Sequence, residues 1–200
     1  MARNKDEKKR RILTATLECI SRHGYEATRL RDVSEASGAS IGVIQHYFGT
    51  REQLLGEALA YASGQLMEHF TSLEEGQLTP WEQLRGMISV VCGMPDLQGR
   101  GLLWLEMSSL VRRHPELRER LDSVYFLWDA KVRAALHRGA ADGSLDIEDP
   151  EAVDDLVAAF LAFFDGYEYE IASTLVPADP QTLERRAVLL AERLFRPREL

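Results

Sequence analysis

The stretch Thr28–Phe48, TRLRDVSEASGASIGVIQHYF, decides the fold. Leu30, Val33 and Ala36 recur at helical spacing, and so do Ile41, Ile44 and Phe48. Between the two runs stands Ser37-Gly38-Ala39. A glycine-bearing turn between two short helices is the signature of a helix-turn-helix. Thr28 is expected to cap the first helix and Ser40 the second, since a side-chain oxygen there accepts an otherwise orphaned amide. The apolar set is expected to pack inward against Leu13, Leu17 and Ile20 of a preceding helix. Ser40, Ile41, Val43, Gln45, His46 and Tyr47 then occupy the outward and flanking faces of the second helix.

In a helix-turn-helix the second helix enters the major groove of DNA, with its first residues near base edges. Gln45 is suited to pair with adenine through its amide, and Val43 or Ile41 to meet a thymine methyl. Gly42 lets the backbone approach the duplex closely. The chain around Thr28 and Arg29, with its hydroxyl and exposed amides, suits a phosphate, as do His46, Tyr47 and Arg51. The basic arm Met1–Arg11 is expected either to reach a minor groove or the backbone, or to be a disordered solubilising tail.

Working outward, nearly every segment reads as helix. A first helix from Asp6 to His23 ends at Gly24, and Thr50 with Gln53 forms a capping box opening a helix toward Leu73. Thr79-Pro80-Trp81-Glu82 launches Pro80–Cys92, and Gly93, Pro95 and Gly99 precede a helix at Arg100–Arg113. His114 restarts the chain for Glu116–Ala141, Asp149 caps a helix to about Thr174, and Asp179 caps the last one to Phe195. No alternating β-branched run of strand length appears. The expectation is an all-α chain of nine helices: an N-terminal three-helix bundle with the helix-turn-helix, and a six-helix bundle behind it. The domains are placed at 1–54, arm and DNA-binding head, and 55–200, a ligand-binding and dimerisation body.

The 200 residues are 45% hydrophobic and 28% charged, which excludes wholesale disorder and leaves ample chain for a buried core. A net charge of −8 argues at first against nucleic acid, but its distribution is uneven. Residues 1–55 hold 10 Lys+Arg against 7 Asp+Glu, and residues 56–200 hold 14 against 25, a basic head on an acidic body. The longest strongly apolar run, Leu156–Phe164, is far shorter than the roughly 20 residues a bilayer span needs, so no membrane partner is expected. The N-terminus MARNKDEKKRR lacks the apolar segment of a signal peptide, and Cys19 and Cys92 read as buried thiols, so a cytoplasmic location is expected. The acidic stretch Asp146–Asp155 lacks the order of a calcium loop and reads as a solvated loop entering a helix. No metal, cofactor or catalytic set is expected. His23, His46, His69, His114 and His137 are scattered, and no HExxH, P-loop, GxGxxG or Ser-His-Asp arrangement is present.

Residues 10–55 resemble the DNA-binding domain of TetR-type repressors. The landmarks are His23-Gly24-Tyr25, Ala27-Thr28, Val33, Gly38, the run Ser40–Phe48, and Thr50-Arg51-Glu52-Gln53-Leu54. The resemblance implies a homodimer that binds double-stranded operator DNA and releases it when a small molecule enters the C-terminal body. By position it implies that Thr28, His46, Tyr47 and Arg51 hold phosphates while Ser40, Ile41, Val43 and Gln45 face bases. Many members carry lysine where Ile41 stands and tyrosine where Gln45 stands, so base readout here is the chain's own. The segment from Trp104-Leu105-Glu106-Met107 through Asp165-Gly166 weakly resembles the effector domain of the choline-responsive, BetI-like subgroup.

In the body, the helix through Leu156–Phe164 is apolar nearly all round, so one face fills its own core and the other needs a partner. With the final helix it resembles the family's dimer face; Leu156, Phe160, Phe163, Leu189, Leu190 and Arg193 are the expected interface residues. The alternative is a helix buried within one bundle. Glu106 and Glu168 lie on apolar stripes, where a carboxylate must be paired, hydrogen-bonded or protonated. With Trp81, Trp104, Tyr125, Trp128 and Phe164 they are candidates to line a pocket for a cationic or amphipathic effector. The alternative is that the acids pair with Arg85, Arg112 or Arg133. The rival functions are an all-α enzyme and an interaction module that has lost DNA binding.

Overall fold

The computed structural model describes residues 2–94, 96–110, 118–147 and 149–198. Among these the chain forms α1 (Ala2–His23), α2 (Leu30–Ser37), α3 (Ile41–Phe48), α4 (Arg51–Glu75), α5 (Pro80–Gly93), α6 (Leu97–Leu110), α7 (Arg118–Asp142), α8 (Val153–Ala172) and α9 (Pro180–Phe195). A single 3-10 turn, Pro150–Ala152, precedes α8. Among the described residues there is no strand, and the one β-contact is an isolated bridge between Leu145 and Pro197. The all-α class expected from periodicity is what forms. No described helix is long and apolar enough to cross a membrane.

Local chemistry sets most of the boundaries. Gly24 and Gly38 end α1 and α2 in the left-handed region, at φ +80° and +66°. The Ser40 hydroxyl accepts from the Val43 amide at 3.4 Å and opens α3. Thr50 and Gln53 exchange backbone-to-side-chain bonds at 2.9 and 3.2 Å, a capping box for α4, and Thr79 and Glu82 do the same for α5 at 2.8 and 3.2 Å. Asp179 caps α9 by accepting from Gln181. Asp149 accepts from Glu151, but the result is the 3-10 turn, and α8 proper starts only at Val153.

The N-terminal end departs from one expectation and narrows another. Thr28 does not cap α2: Arg29 is the N-cap residue, and its amide donates to Asp32 at 2.9 Å. The basic arm is helical, since α1 already begins at Ala2 and carries Lys5, Lys8 and Lys9, which sets aside the reading as a disordered tail. His114 and Arg112 lie outside the described residues.

The chain divides into two compact units, Met1–Gln65 with Gly99–Leu121, and Leu66–Gln98 with Asp122–Leu200. The division thus falls inside α4, and α6 groups with the head. In the first unit Ile12, Leu13, Cys19, Val33, Ala39, Ile44, Phe48, Leu54 and Ala58 form one core. Ala36, expected inward, is exposed, and the buried positions of the turn are Ser37 and Ala39, because Ser37 continues the Val33 face one helical turn on. A second core joins Ile20 and Tyr25 of the α1 end, Leu55 and Leu59 of α4, and Met107 of α6. The second unit is built on Phe70, Leu84, Ile88, Val132, Leu136, Val157, Phe160, Phe164, Leu183 and Phe195.

Candidate nucleic-acid interface

The helix α3 separates its residues by face. Ile44 and Phe48 are buried in the head, while Ser40, Gly42, Gln45 and His46 are exposed. Ile41, which periodicity left on either face, is 39% exposed and belongs with the outward set. Val43 is half-buried against the head core, so it presents only part of its side chain. A Cβ at Gly42 would meet nothing within 4 Å, and its backbone is ordinary helix. Neither packing nor conformation of the protein itself requires glycine there, although glycine in a helix costs roughly 0.5–1 kcal/mol relative to alanine.

Tyr47 is half-buried at the C-terminal end of α3, and two lysines of α1 reach its ring. The Lys5 and Lys9 ammonium groups lie 5.9 and 6.0 Å from the ring centroid, and the His46 ring is 5.5 Å away. Lys5 and Lys9 stand one helical turn apart, so the same face of α1 supplies both charges. The arrangement gathers two ammonium groups, an imidazole and a phenol at one end of the exposed α3 surface, a set of donors suited to phosphate oxygens. The pairing of Lys5 and Lys9 with Tyr47 was not anticipated from sequence. The signal present was the four-residue spacing, which carries meaning only once this part of α1 is known to be helical.

Two residues expected at phosphates have other partners. Thr28 is fully buried, and its hydroxyl donates to the Gly24 carbonyl at 2.7 Å, so it offers no surface to a phosphate. The Arg51 guanidinium donates through Nε to the Thr28 carbonyl at 2.7 Å and through Nη2 to the carbonyls of Glu26, at 3.1 Å, and Tyr25. Its Cζ lies 5.3 Å from the Tyr25 ring centroid, and Nη1 sits 3.3 Å from Glu52 Oε1. Arg51 therefore clamps the Tyr25–Thr28 turn that leads into α2. Arg29 is exposed beside it.

The pocket residues expected from sequence are drawn from both units. Trp104 and Glu106 belong to the first unit, and Trp81, Trp128, Phe164 and Glu168 to the second. The side chain of Tyr125 lies outside the described residues. Glu106 accepts from the Tyr25 amide at 2.7 Å, so this carboxylate has a backbone partner at the end of α1 rather than only the arginines considered from sequence. Trp81 is half-buried and lines an open groove with Asp146, Glu192, Arg193 and Arg196. Trp128 packs 4.8 Å from Phe164 and 6.1 Å from Phe70, and its indole Nε1 is buried with no acceptor among the described residues. Arg133 pairs with Asp129 and Asp154.

Of the expected dimer-face residues, Leu189 is 54% exposed, Arg193 is exposed, and Leu156, Phe163 and Leu190 are half-buried. Phe160 does not fit: it is buried edge-on between Phe164 and Phe195, with centroids at 5.3 and 5.2 Å, and fills the unit's own core. Both cysteines are buried, and burial foremost pushes the Cys19 thiol above its ordinary pKa.

Comparison with known proteins agrees with this geometry. The family description "Bacterial regulatory proteins, tetR family" matches residues 12–58, the span from α1 into α4. The HTH-type transcriptional repressor AcnR of Corynebacterium efficiens is 32% identical over 139 residues, covering 70% of this chain and 69% of that protein. The HTH-type transcriptional regulator BetI of Rhizobium meliloti is 25% identical over 115 residues, or 57% of each chain. A solved transcriptional regulator from Saccharomonospora viridis, in complex with choline, superposes with a TM-score of 0.80 over 94% of this chain and 96% of that one, at 20% identity. The chain belongs to the TetR family of bacterial regulatory proteins and is a DNA-binding transcriptional repressor, not an enzyme.

Proposed function

We propose that the chain acts as a homodimer on a palindromic operator and releases it when a small-molecule effector binds the second unit. The observation that carries the DNA half of this reading is α3. One face is locked into the head by Ile44 and Phe48, and the opposite face leaves Ser40, Ile41, Gly42 and Gln45 in solvent beside the Lys5–Lys9–Tyr47 cluster. Gln45 and Ile41 are the base readers and His46, Tyr47, Lys5 and Lys9 the phosphate holders. Leu189 and Arg193 of α9 with Leu156 and Phe163 of α8 form the proposed dimer face, since a two-fold assembly is what a palindrome requires.

The effector reading rests on Trp128. A buried N–H without an acceptor is costly, and a ligand that brings an oxygen acceptor among Phe70, Trp128 and Phe164 removes that cost. Aromatic faces also attract a quaternary ammonium group. Choline, the ligand of the S. viridis neighbour, has both features and is the first probe to use.

The test is selection of bound duplexes from a random DNA library by the full chain. The reading expects a two-fold symmetric consensus, affinity that weakens steeply with salt, and a dimer mass in light scattering. Failure to enrich any sequence would overturn it. Choline titrated into the complex is expected to quench tryptophan fluorescence and lower operator affinity together.

A further inference from the structure

We infer that Glu106 of α6 is a positioning residue for the helix-turn-helix: it sets the turn that aims α2, and through it α3, by holding the backbone amide of Tyr25. The reason begins with how α1 ends. Gly24 closes the helix in the left-handed region, with its own amide bonded to Ile20 O at 2.8 Å. That single-bond termination leaves the next amide, of Tyr25, outside the helical ladder. Tyr25 is 2% exposed, so water does not serve it, and the Glu106 carboxylate does at 2.7 Å.

A carboxylate is an unexpected group here. The C-terminus of a helix carries partial negative charge, which repels an anion. The Glu106 carboxylate nevertheless lies so near Gly24 that a Cβ there would stand 3.3 Å from Oε1. Met107, the next residue of α6, is buried against Ile20, Tyr25, Leu55 and Leu59, which fixes the helix that presents the carboxylate. The far side of the same turn is held by Arg51 from α4, and Leu30 opens α2 two residues after Thr28. The turn is therefore suspended between α4 and α6. The α4 clamp binds carbonyls and the α6 contact binds the amide, so the two are chemically independent.

The inference builds on α3 as the DNA reader. Its test uses the full chain, the duplex selected by the wild-type protein, and Glu106→Ala, Glu106→Gln and Glu106→Asp. Glutamine keeps an acceptor and removes the repulsion from the α1 terminus, while aspartate keeps the charge but withdraws the acceptor. With concentrations corrected for the folded fraction, Glu106→Ala and Glu106→Asp are expected to bind operator about ten-fold more weakly, and Glu106→Gln as tightly as wild type or tighter. Amide exchange at Tyr25 should accelerate in the first two variants and stay slow in the third. A protected Tyr25 amide or unchanged operator affinity in Glu106→Asp would overturn the inference, as would glutamine behaving like alanine. If wild type selects no duplex, the DNA reading fails, and the exchange pattern across the three variants still decides whether Glu106 holds the turn.

Discussion

Replacing Arg51 by methionine separates two roles that the sequence alone would merge. Methionine retains an apolar stem beside Tyr25 while removing every donor to the turn. Two of the lost bonds are well formed, Nε to Thr28 O at 2.7 Å and Nη2 to Glu26 O at 3.1 Å. The Thr28 bond is the costly one, because Thr28 is fully buried and its carbonyl is left without that donor. A hydrogen bond to a charged group contributes about 1.5–3 kcal/mol net, and the more exposed Glu26 bond adds a smaller amount. The Arg51 side chain is 23% exposed, so solvent screening trims the sum, and about 2–3 kcal/mol is expected for the variant. Urea denaturation followed by circular dichroism measures that loss. Operator affinity as a function of salt tests the other role: each phosphate contact removed lowers the log–log slope by about 0.9. A clamp predicts lower stability with the slope unchanged, and a phosphate contact predicts the reverse. Full stability with a slope reduced by about one would refute the clamp.

Gly42→Ala is expected to stabilise the fold by about 0.5–1 kcal/mol, since nothing in the protein opposes a Cβ there, and to weaken operator binding if the DNA backbone approaches that position. A variant that is both more stable and equally tight in binding would sink the close-approach reading. On the dimer face, Leu189→Glu is expected to yield folded monomer in sedimentation, whereas Phe160→Ala is expected to cost about 3–5 kcal/mol of folding stability, as a core truncation does. The Thr79 amide foremost, and then its hydroxyl, hold the Glu82 carboxyl below the usual carboxylate range. Its contribution to stability is therefore present above that range and lost as pH falls through the lowered value. The difference in urea midpoint between wild type and Glu82→Ala should be open at neutral pH and narrow as pH falls below the ordinary glutamate range.

What was legible in the sequence was what a few neighbouring residues decide. Gly24, Gly38, Ser40, the Thr50–Gln53 pair and the Thr79–Glu82 pair each act within one helical turn, and each terminates or opens a helix where expected. The outward set of α3 was legible for the same reason, since one face of a two-turn helix follows from its period. What escaped were contacts made over long separations. The spacing showed that Glu106 needed a partner, but the partner is an amide 81 residues earlier, and no side-chain pattern marks a backbone group. Arg51 looked like a surface cation, yet its acceptors are three carbonyls 23 to 26 residues away. Thr28 was misread because a hydroxyl before a helix usually faces forward to cap it, and this one turns back to Gly24. Phe160 was misplaced because a helix apolar on every side does not announce which phenylalanine its own core will take.

The first compact unit is discontinuous in the chain: Met1–Gln65 is completed by Gly99–Leu121. Inheritance of the reading head is constrained by that interruption. A single recombination event that exchanged everything after residue 54 would carry over the α3 surface but replace Leu55, Leu59, Glu106 and Met107 with whatever the donor sequence supplied. Chimeric regulators joined at that seam should bind well only when the incoming α6 brings its own acceptor and apolar neighbour to the end of α1. A graft that keeps residues 1–65 and restores Glu106 and Met107 tests how much of the lost affinity those few positions recover.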